Sequence, residues 1–136
     1  MNKAVCPTGS PGYHLLGNKC IYYEKTYLSW ENAKKGCKDK FSSGGRLHEP
    51  VSLQEHSDVH TITNKSSYWI GVDDLSQEGN FTYSSSGSKI SFNLPWHSGY
   101  GRKGSSTNCV LTNNGSRGLW LDWPCTSAYP SVCESE

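Results

Sequence analysis

The run Gly118-Leu-Trp-Leu-Asp-Trp-Pro-Cys125 concentrates apolar side chains near the end of the chain. Its tryptophans, Trp120 and Trp123, alternate with leucines, which predicts a strand over 118–122 with both indoles in the core. From residue 67 onward, similar short runs are separated by Gly, Ser and Asn, a pattern typical of strands and turns. Further strands are predicted over 68–72, 81–84, 90–92, 109–112 and 131–134.

Two helices are predicted ahead of these strands. Ser29 precedes apolar residues at helical spacing, and Gly44-Gly45 ends the pattern, which predicts a helix over 29–41. Ser52 and Glu55 form a capping box at the start of a second helix, which fades near Asn64. The apolar side of this helix is predicted to comprise Leu53, Val59 and Ile62. Because helices and strands occupy separate parts of the sequence, the fold class is α+β.

The composition indicates one folded domain over 1–136. The chain has 136 residues, a formal net charge of +1 and 12% aromatic residues, which suits a single core. The longest apolar run, 20–23, is far shorter than the about 20 residues of a membrane span, which predicts no membrane insertion. A net charge near zero argues against nucleic-acid binding, because such binding draws on a surplus of cations.

The cysteine content indicates disulfide bonds and a secreted or extracellular location. No C-x-x-C pair occurs, so the sequence contains no thioredoxin-like or zinc-ribbon motif. An even number of cysteines in a small polar chain favours disulfides, which persist in oxidising compartments. Glycosylation sequons at Asn64, Asn80 and Asn114 agree with export. The six cysteines are Cys6, Cys20, Cys37, Cys109, Cys125 and Cys133.

An ordered set of motifs resembles the C-type lectin-like domain. It comprises Cys6-Pro7, Ser29-Trp-Glu-Asn-Ala33, Trp69-Ile70-Gly71, the run at 118–125 and Ser131-Val-Cys-Glu134. The resemblance covers essentially the whole chain. It implies two helices, two small antiparallel sheets and a long irregular loop at 93–108, where such domains usually hold calcium and sugar. It also implies the long form with an N-terminal hairpin at 6–23, and the disulfides Cys6–Cys20, Cys37–Cys133 and Cys109–Cys125.

The calcium-dependent sugar motif of that family is degraded here. Its acidic tripeptide falls on Gly99-Tyr100-Gly101, its loop glutamate on Thr107, and its Trp-Asn-Asp on Trp120-Leu121-Asp122. Only Asp122 keeps a carboxylate. No acidic residue lies between Glu78 and Asp122, whereas calcium takes about six to eight oxygen ligands. The sequence therefore predicts no calcium in the long loop and no other cofactor.

An accessory calcium site is a weaker candidate. Family members use two acids at the positions of Asp74 and Glu78, and the residues facing them here would be Arg102 and Asn108. This ligand count falls short of what calcium needs. We therefore expect solvated or hydrogen-bonding turn acids at these positions.

The long loop combines aromatic and cationic side chains. Aromatic rings stack on sugars and cations bind sulfate or carboxylate groups, although the same residue types also mark protein-binding sites. Flanking glycines predict exposure of Tyr100, Arg102 and Lys103, whereas Trp96 is expected in the core. The predicted ligand-binding residues are His97, Tyr100, Arg102, Lys103, Thr107, Asn108 and Asp122.

The sequence does not predict an enzyme. His56 and His60 lie one helical turn apart, a spacing that can chelate zinc, but no third ligand is identifiable. Both lie beside Leu53 and Val59 on the predicted helix, which favours partly buried structural histidines. Neither a nucleophile elbow nor a phosphate-binding loop occurs.

The resulting hypothesis is a lectin that recognises glycans or glycoproteins through the long loop without calcium, with a preference for anionic or N-acetylated glycans. Innate immune or cell-surface recognition would suit such a module. The alternative is a calcium-independent, protein-binding receptor or toxin-like domain, and a third hypothesis is an ice-binding relative. Oligomers are compatible with each hypothesis, since weak single sites gain affinity through multivalency.

Overall fold

Eight strands and two helices make up the computed structural model, which describes residues 6–7, 10–42, 44–101, 104–115 and 117–135. The helices are α1 (Trp30–Cys37) and α2 (Leu53–Ile62). The strands are β1 (Tyr13–Leu16), β2 (Lys19–Leu28), β3 (Gly45–Leu47), β4 (Trp69–Asp73), β5 (Thr82–Tyr83), β6 (Cys109–Thr112), β7 (Trp120–Trp123) and β8 (Tyr129–Ser135). None of the described helices has the length and apolar character of a membrane span.

Helix α1 begins as predicted but ends earlier than residue 41. Ser29 is the N-cap, and its Oγ accepts a hydrogen bond from the Asn32 amide at 3.3 Å. After Cys37 the chain continues in tighter turns, in which each amide bonds the carbonyl three residues back, as from Lys40 to Cys37 at 3.2 Å. Phe41 remains buried beyond the helix end, so the apolar spacing predicted burial correctly and helix length incorrectly.

Helix α2 has the predicted N-cap but a different buried face. The Ser52 Oγ accepts from the Glu55 amide at 3.1 Å, whereas the Glu55 carboxylate accepts from the Val51 amide. Leu53, expected on the apolar side, is 46% exposed, and the buried residues are His56, Val59 and His60. The helix ends at Ile62, and the chain then reverses through left-handed backbone at Asn64 and Lys65.

The strands form one mixed sheet, and the two separate antiparallel sheets of the sequence prediction merge. The order is β1-β2-β8-β4-β6-β7, with β3 added to β8 and β5 added to β4. A single parallel bridge between Trp69 and Ser131 joins β4 to β8, while the other strand pairs are antiparallel. The predicted strand at 90–92 is absent from the described sheet, and only an isolated bridge between Thr82 and Lys89 forms there.

Both faces of the central strands are buried. Cys109 and Leu111 of β6 belong to a cluster on the α1 side, whereas Val110 belongs to a second cluster with Trp120. Trp120 is fully buried, as predicted, but Trp123 is only half-buried. The second cluster extends to Trp96, so it supports the long loop from below.

All three implied disulfides are present. Cys6–Cys20 joins the N-terminus to the β1–β2 hairpin, which continues to Leu28, beyond the predicted 6–23. Cys109–Cys125 joins β6 to the residues after β7, and Cys37–Cys133 joins the end of α1 to β8 across 96 residues. Such cross-links restrict the unfolded chain, more strongly when the closed loop is longer.

Candidate functional site

Asp122 anchors the long loop from beneath. It lies on β7 and is 1% exposed. Its Oδ1 accepts a hydrogen bond from the Gly101 amide at 2.7 Å, and its Oδ2 accepts from the Thr107 Oγ at 2.9 Å. Hydrogen bonds to a buried carboxylate are among the stronger ones in proteins. The sequence predicted Asp122 and Thr107 as ligand-binding residues. In the structure Asp122 binds the loop, and Thr107 is one of the two loop residues that donate to it.

Gly101 is required where the loop crosses Trp96. Its φ of 95° lies in the left-handed region, and a Cβ atom there would be 2.7 Å from the indole ring. Trp96 is half-buried and packs edge-to-face on Phe81 at 4.8 Å and on Trp120 at 6.0 Å between ring centroids. The predicted packing of Trp96 against the core is therefore confirmed, although one side remains accessible.

An open groove of about 830 Å³ lies beside this anchored loop. We call it the aromatic groove. The aromatic residues of its lining are the buried Phe81 and the half-buried Phe92, Trp96 and Tyr100. Exposed polar side chains such as Asn80, Lys89 and Asn93 are also part of the lining. The groove is bounded by residues 78–81, 89–94, 96, 100–101 and 104. It combines apolar ring surface with hydrogen-bonding groups, the usual composition of a small-ligand site.

Tyr100 is less exposed than predicted. It is half-buried and stacks on Trp123, with 6.3 Å between centroids and 24° between planes. The flanking glycines, Gly99 and Gly101, both have positive φ, so they turn the loop back and bring the tyrosine onto the domain. His97 contacts the Tyr100 ring edge-on at 5.6 Å, but it lines a separate cavity of about 190 Å³ beside residues 113–115 and 117–119.

Of the other predicted ligand-binding residues, Asn108 is not part of the described lining of the aromatic groove. Arg102 and Lys103 lie outside the described residues. Asn108 donates from Nδ2 to the Ser105 carbonyl at 2.9 Å, and its backbone carbonyl accepts from the Asp74 amide at 3.1 Å. Sequence reasoning missed Phe92 as a groove residue, and noted Asn80 only as a sequon and Lys89 only as a cation.

The part of the long loop that the structure describes does not fit a calcium ion. Asp122 supplies the surviving carboxylate, and each of its oxygens already accepts a hydrogen bond from the loop. The position of the family's loop glutamate holds Thr107, which donates to Asp122 instead of offering a charge. The loop is thus fixed by direct hydrogen bonds at the place where calcium would need several anionic oxygens.

Two acids of the turn near residue 74 accept hydrogen bonds from backbone amides. Asp73 Oδ1 accepts from the Leu75 amide at 2.9 Å, and Asp74 Oδ2 accepts from the Gly79 amide at 2.7 Å. Burial, together with the neighbouring Glu78, raises the pKa of Asp74 to about 6. Asp74 Oδ1 and Asn108 Oδ1 are buried without a hydrogen-bond partner in the described chain. These two oxygens and the exposed Glu78 are fewer ligands than calcium prefers.

A second cluster has metal-like geometry but already holds a cation of the protein. Ligand atoms of His48, Glu55 and Glu134 lie within 4.8 Å of one another. The Lys19 Nζ sits among them, 2.8 Å from Glu55 Oε1 and 3.2 Å from Glu134 Oε1. Burial of Glu134 opposes its ionisation, but hydrogen bonding and charge from His48, with Lys19, lower its pKa to about 2. The cluster is therefore a buried ion-pair network.

The two helix histidines are structural, as predicted. His56 Nε2 lies 2.7 Å from the Gly118 carbonyl, and His60 Nε2 lies 2.5 Å from the Gly115 carbonyl. Both side chains are buried. They hold the turn before β7 against α2. Burial is the main cause that lowers the pKa of His56 to about 4, and it also lowers the pKa of His60.

We predict that His56 makes the protein less stable as the pH falls from 6.5 to 4. Its pKa in the folded chain is about 4, below the ordinary 6.5. As the pH falls, the unfolded chain therefore takes up a proton at this histidine before the folded chain does. By linkage, this lowers the free energy of unfolding by about 3 kcal/mol. The raised pKa of Asp74 opposes this loss between about pH 6 and 3.8. Urea unfolding from pH 7 to 4 should show a flatter profile for His56→Gln than for the wild type.

The control for this prediction is His14→Gln, because His14 is exposed on β1. Its unfolding profile should parallel that of the wild type. An unchanged slope in the His56→Gln variant would show that His56 does not carry the pH dependence.

Comparison with known proteins gives one family model and many relatives. The model described as "Lectin C-type domain" matches residues 26–135. A "Type-2 ice-structuring protein" of Hemitripterus americanus is 33% identical over 94% of this chain and 73% of its own length. A calcium-independent type II antifreeze protein superimposes with a TM-score of 0.80 at 26% identity, covering 98% of this chain and 95% of that one.

A further structure similar to this chain is a C-type carbohydrate-recognition domain. It is the cow domain of CD23, solved in the presence of a GlcNAc2Man3 oligosaccharide. Its TM-score is 0.80 at 26% identity, and the alignment covers 96% of this chain and 95% of that domain.

Proposed function

The chain belongs to the lectin C-type domain family, and from that premise we propose that it binds glycans in the aromatic groove without calcium. The observation that carries this proposal is the Asp122 anchor. It fixes the long loop through Gly101 and Thr107 and so shapes one wall of the groove. A binding surface that is ordered before the ligand arrives loses less entropy on binding.

The rings of the groove suit the apolar faces of sugars. Phe92, Trp96 and Tyr100 line it and are all half-buried, so part of each ring can contact a ligand while the rest is held by the core. Trp96 is fixed by Phe81 and Trp120. Rigid aromatic surface of this kind provides large contact area at low conformational cost.

The polar groups of the groove suit hydroxyl and N-acetyl groups. Asn80 and Asn93 are exposed on its rim and offer amide donors and acceptors. Lys89 adds a positive charge, whereas Glu78 adds a negative charge at the 78–81 side. The preference for N-acetylated or anionic glycans remains part of the proposal. It rests on Lys89 and on the acid-free stretch that follows Glu78.

The comparisons support a module of this type. One similar structure was solved in the presence of an oligosaccharide, and another is a calcium-independent member of the same fold. Three disulfides favour an oxidising, extracellular location. Recognition of glycans or glycoproteins at cell surfaces, including innate immune recognition, would be the biological setting of such a module.

The direct test is a glycan array followed by calorimetry with groove variants. We expect at least one N-acetylated or anionic glycan to bind in chelator, and Lys89→Ala with Asn93→Ala to weaken that binding about tenfold through lost hydrogen bonds. The matched control is Lys35→Ala, which removes an exposed cation from α1, outside the groove. Equal affinity of the groove variant and the control would contradict the location, and a silent array would contradict the function.

Ice binding is a second candidate, favoured by two comparisons. A relative named as an ice-structuring protein is 33% identical, and a calcium-independent antifreeze protein has the same fold at a TM-score of 0.80. Thermal hysteresis of the purified chain distinguishes this candidate, since glycan binding alone does not produce hysteresis.

Protein binding is the third candidate. The half-buried rings of Tyr100, Trp123 and Tyr129 form a continuous row, with neighbouring centroids 6.3 and 6.5 Å apart. Tyrosine and tryptophan are enriched at protein-binding hot spots. Binding to cells that persists after enzymatic removal of their glycans would favour this candidate over a lectin.

A further inference from the structure

We propose that Asn80 is an N-glycosylation site whose own glycan occupies the aromatic groove and closes it to external glycans. The inference rests on the proposed function, because it assigns an occupant to the same groove. The occupant is an N-acetylglucosamine-containing oligosaccharide attached to this chain.

The first observation is the position of the sequon. Asn80-Phe81-Thr82 is one of three such triplets in the chain, and Asn80 is part of the lining of the aromatic groove. Asn64 and Asn114 line other cavities, beside the β1–β2 hairpin and beside His97 respectively. The three sequons therefore differ in position, and among their asparagines only Asn80 is part of the described lining of the aromatic groove.

The second observation is that the backbone at Asn80 is fixed. The Gly79 amide donates to Asp74 Oδ2 at 2.7 Å, and the Asn80 amide donates to the Gln77 carbonyl at 3.0 Å. The next residue, Phe81, is buried and packs on Trp96. A sugar attached at Asn80 would therefore start one residue away from a ring of the groove.

The third observation is that the Asn80 side chain is available. It is exposed and makes no side-chain hydrogen bond to another described residue. Its exposure contrasts with the burial of Asp122 and Thr107, whose side chains bond each other. The amide nitrogen can therefore carry a substituent without loss of a side-chain hydrogen bond within the described chain.

The covalent step uses a lipid-linked oligosaccharide diphosphate as donor, as supplied to a glycosyl transferase in the secretory pathway. The Asn80 Nδ2 forms a bond to C1 of the N-acetylglucosamine that is attached to the lipid diphosphate. The bond between C1 and the diphosphate oxygen breaks, the lipid diphosphate leaves, and one amide proton goes to the base of the transferase. No oxidant or reductant is needed.

Closure of the groove follows from the chemistry of the first sugar. N-acetylglucosamine presents the ring face and acetamide group that the rings and amides of the groove would bind. Because this sugar is tethered to the rim, its effective concentration exceeds that of a free glycan at ordinary concentrations. The glycosylated chain should consequently bind external glycans weakly, and the chain without the modification should bind them well.

The test compares chains secreted from a eukaryotic host with the same chain produced without glycosylation. The probe is the best glycan found on the array with the unmodified chain. We expect mass spectrometry to show occupancy of Asn80, and glycosylated wild type to bind the probe about tenfold more weakly than Thr82→Val from the same host. This variant removes the sequon but keeps Asn80, and Thr82 is not part of the groove lining. The matched control, Asn114→Gln, should remain as weak as the wild type.

Nuclear magnetic resonance supplies a readout that needs no external glycan. Contacts from the first N-acetylglucosamine to ring protons of Phe92 or Tyr100 should appear in the glycosylated chain. Lack of occupancy at Asn80, or equal affinity of the occupied chain and the Thr82→Val variant, would overturn the inference while leaving the proposed function intact. If the unmodified chain bound no glycan at all, the proposed function would fail first, and the inference with it.

Discussion

Replacement of Glu134 by glutamine is expected to lower the free energy of unfolding by about 3–5 kcal/mol, because it removes one partner from a buried charge network. The side chain of Glu134 is fully buried. Its Oε1 lies 2.7 Å from His48 Nδ1 and accepts from Lys19 Nζ at 3.2 Å, and its Oε2 accepts from Arg46 Nε at 2.9 Å. Chemical denaturation monitored by tryptophan fluorescence measures the loss.

The same substitution should change the acid sensitivity of the protein. The pKa of Glu134 is lowered to about 2 from the ordinary 4.5, so its contribution is present above pH 4.5 and is lost as the pH falls from 4.5 to 2. Between pH 4.5 and 2, the free energy of unfolding should fall less in the Glu134→Gln variant than in the wild type.

Glu55→Gln is the matched control for Glu134. Glu55 also binds Lys19, but its side chain is partly exposed, so its removal should cost about 1 kcal/mol or less. If Glu134→Gln were as mild as Glu55→Gln, the network would not have the structural role that its geometry indicates.

Replacement of Asp122 by alanine is expected to disorder the long loop and weaken glycan binding about tenfold or more. The substitution leaves the Gly101 amide and the Thr107 hydroxyl without their acceptor. Two lost hydrogen bonds to a buried carboxylate correspond to about 2–4 kcal/mol of unfolding free energy. Hydrogen exchange should become faster at the Gly101 amide, and calorimetry should show the weaker glycan binding.

Thr107→Val is the matched control, since it removes one of the two hydrogen bonds and keeps the carboxylate. Its effects on exchange and affinity should be smaller than those of Asp122→Ala. An Asp122→Ala variant that lost affinity only in the presence of calcium would identify Asp122 as a metal ligand, in contradiction of the anchoring role.

The sequence predicted the scaffold better than the site. Its motifs and helix caps carry strong local signals, and the α+β class, both N-caps and the three disulfides are confirmed. The merging of the two sheets depends on one parallel bridge between Trp69 and Ser131. These two residues are 62 positions apart, and a contact over such a distance produces no periodic pattern in the sequence from which it could be predicted.

The loop residues show why the site was harder to predict. Glycines around Tyr100 indicated exposure, but their positive φ values turn the ring onto Trp123. The family motif made Asp122 look like the remnant of a calcium site. Its partner in the structure is the backbone amide of Gly101, and no sequence motif marks a backbone amide as a hydrogen-bond donor to a distant carboxylate. Phe92 lies in a segment without regular structure. In such a segment the burial of a side chain depends on tertiary packing and not on a helical or strand periodicity of the sequence.

We have proposed that the aromatic groove binds glycans without calcium. We would measure affinity for the best array glycan by calorimetry, first in excess chelator and then in saturating calcium. We predict equal affinity in the two conditions, and binding by the Asp122→Ala variant that is weaker by about tenfold or more in both. Glycan binding that appears only with calcium, and disappears on chelation, would contradict it.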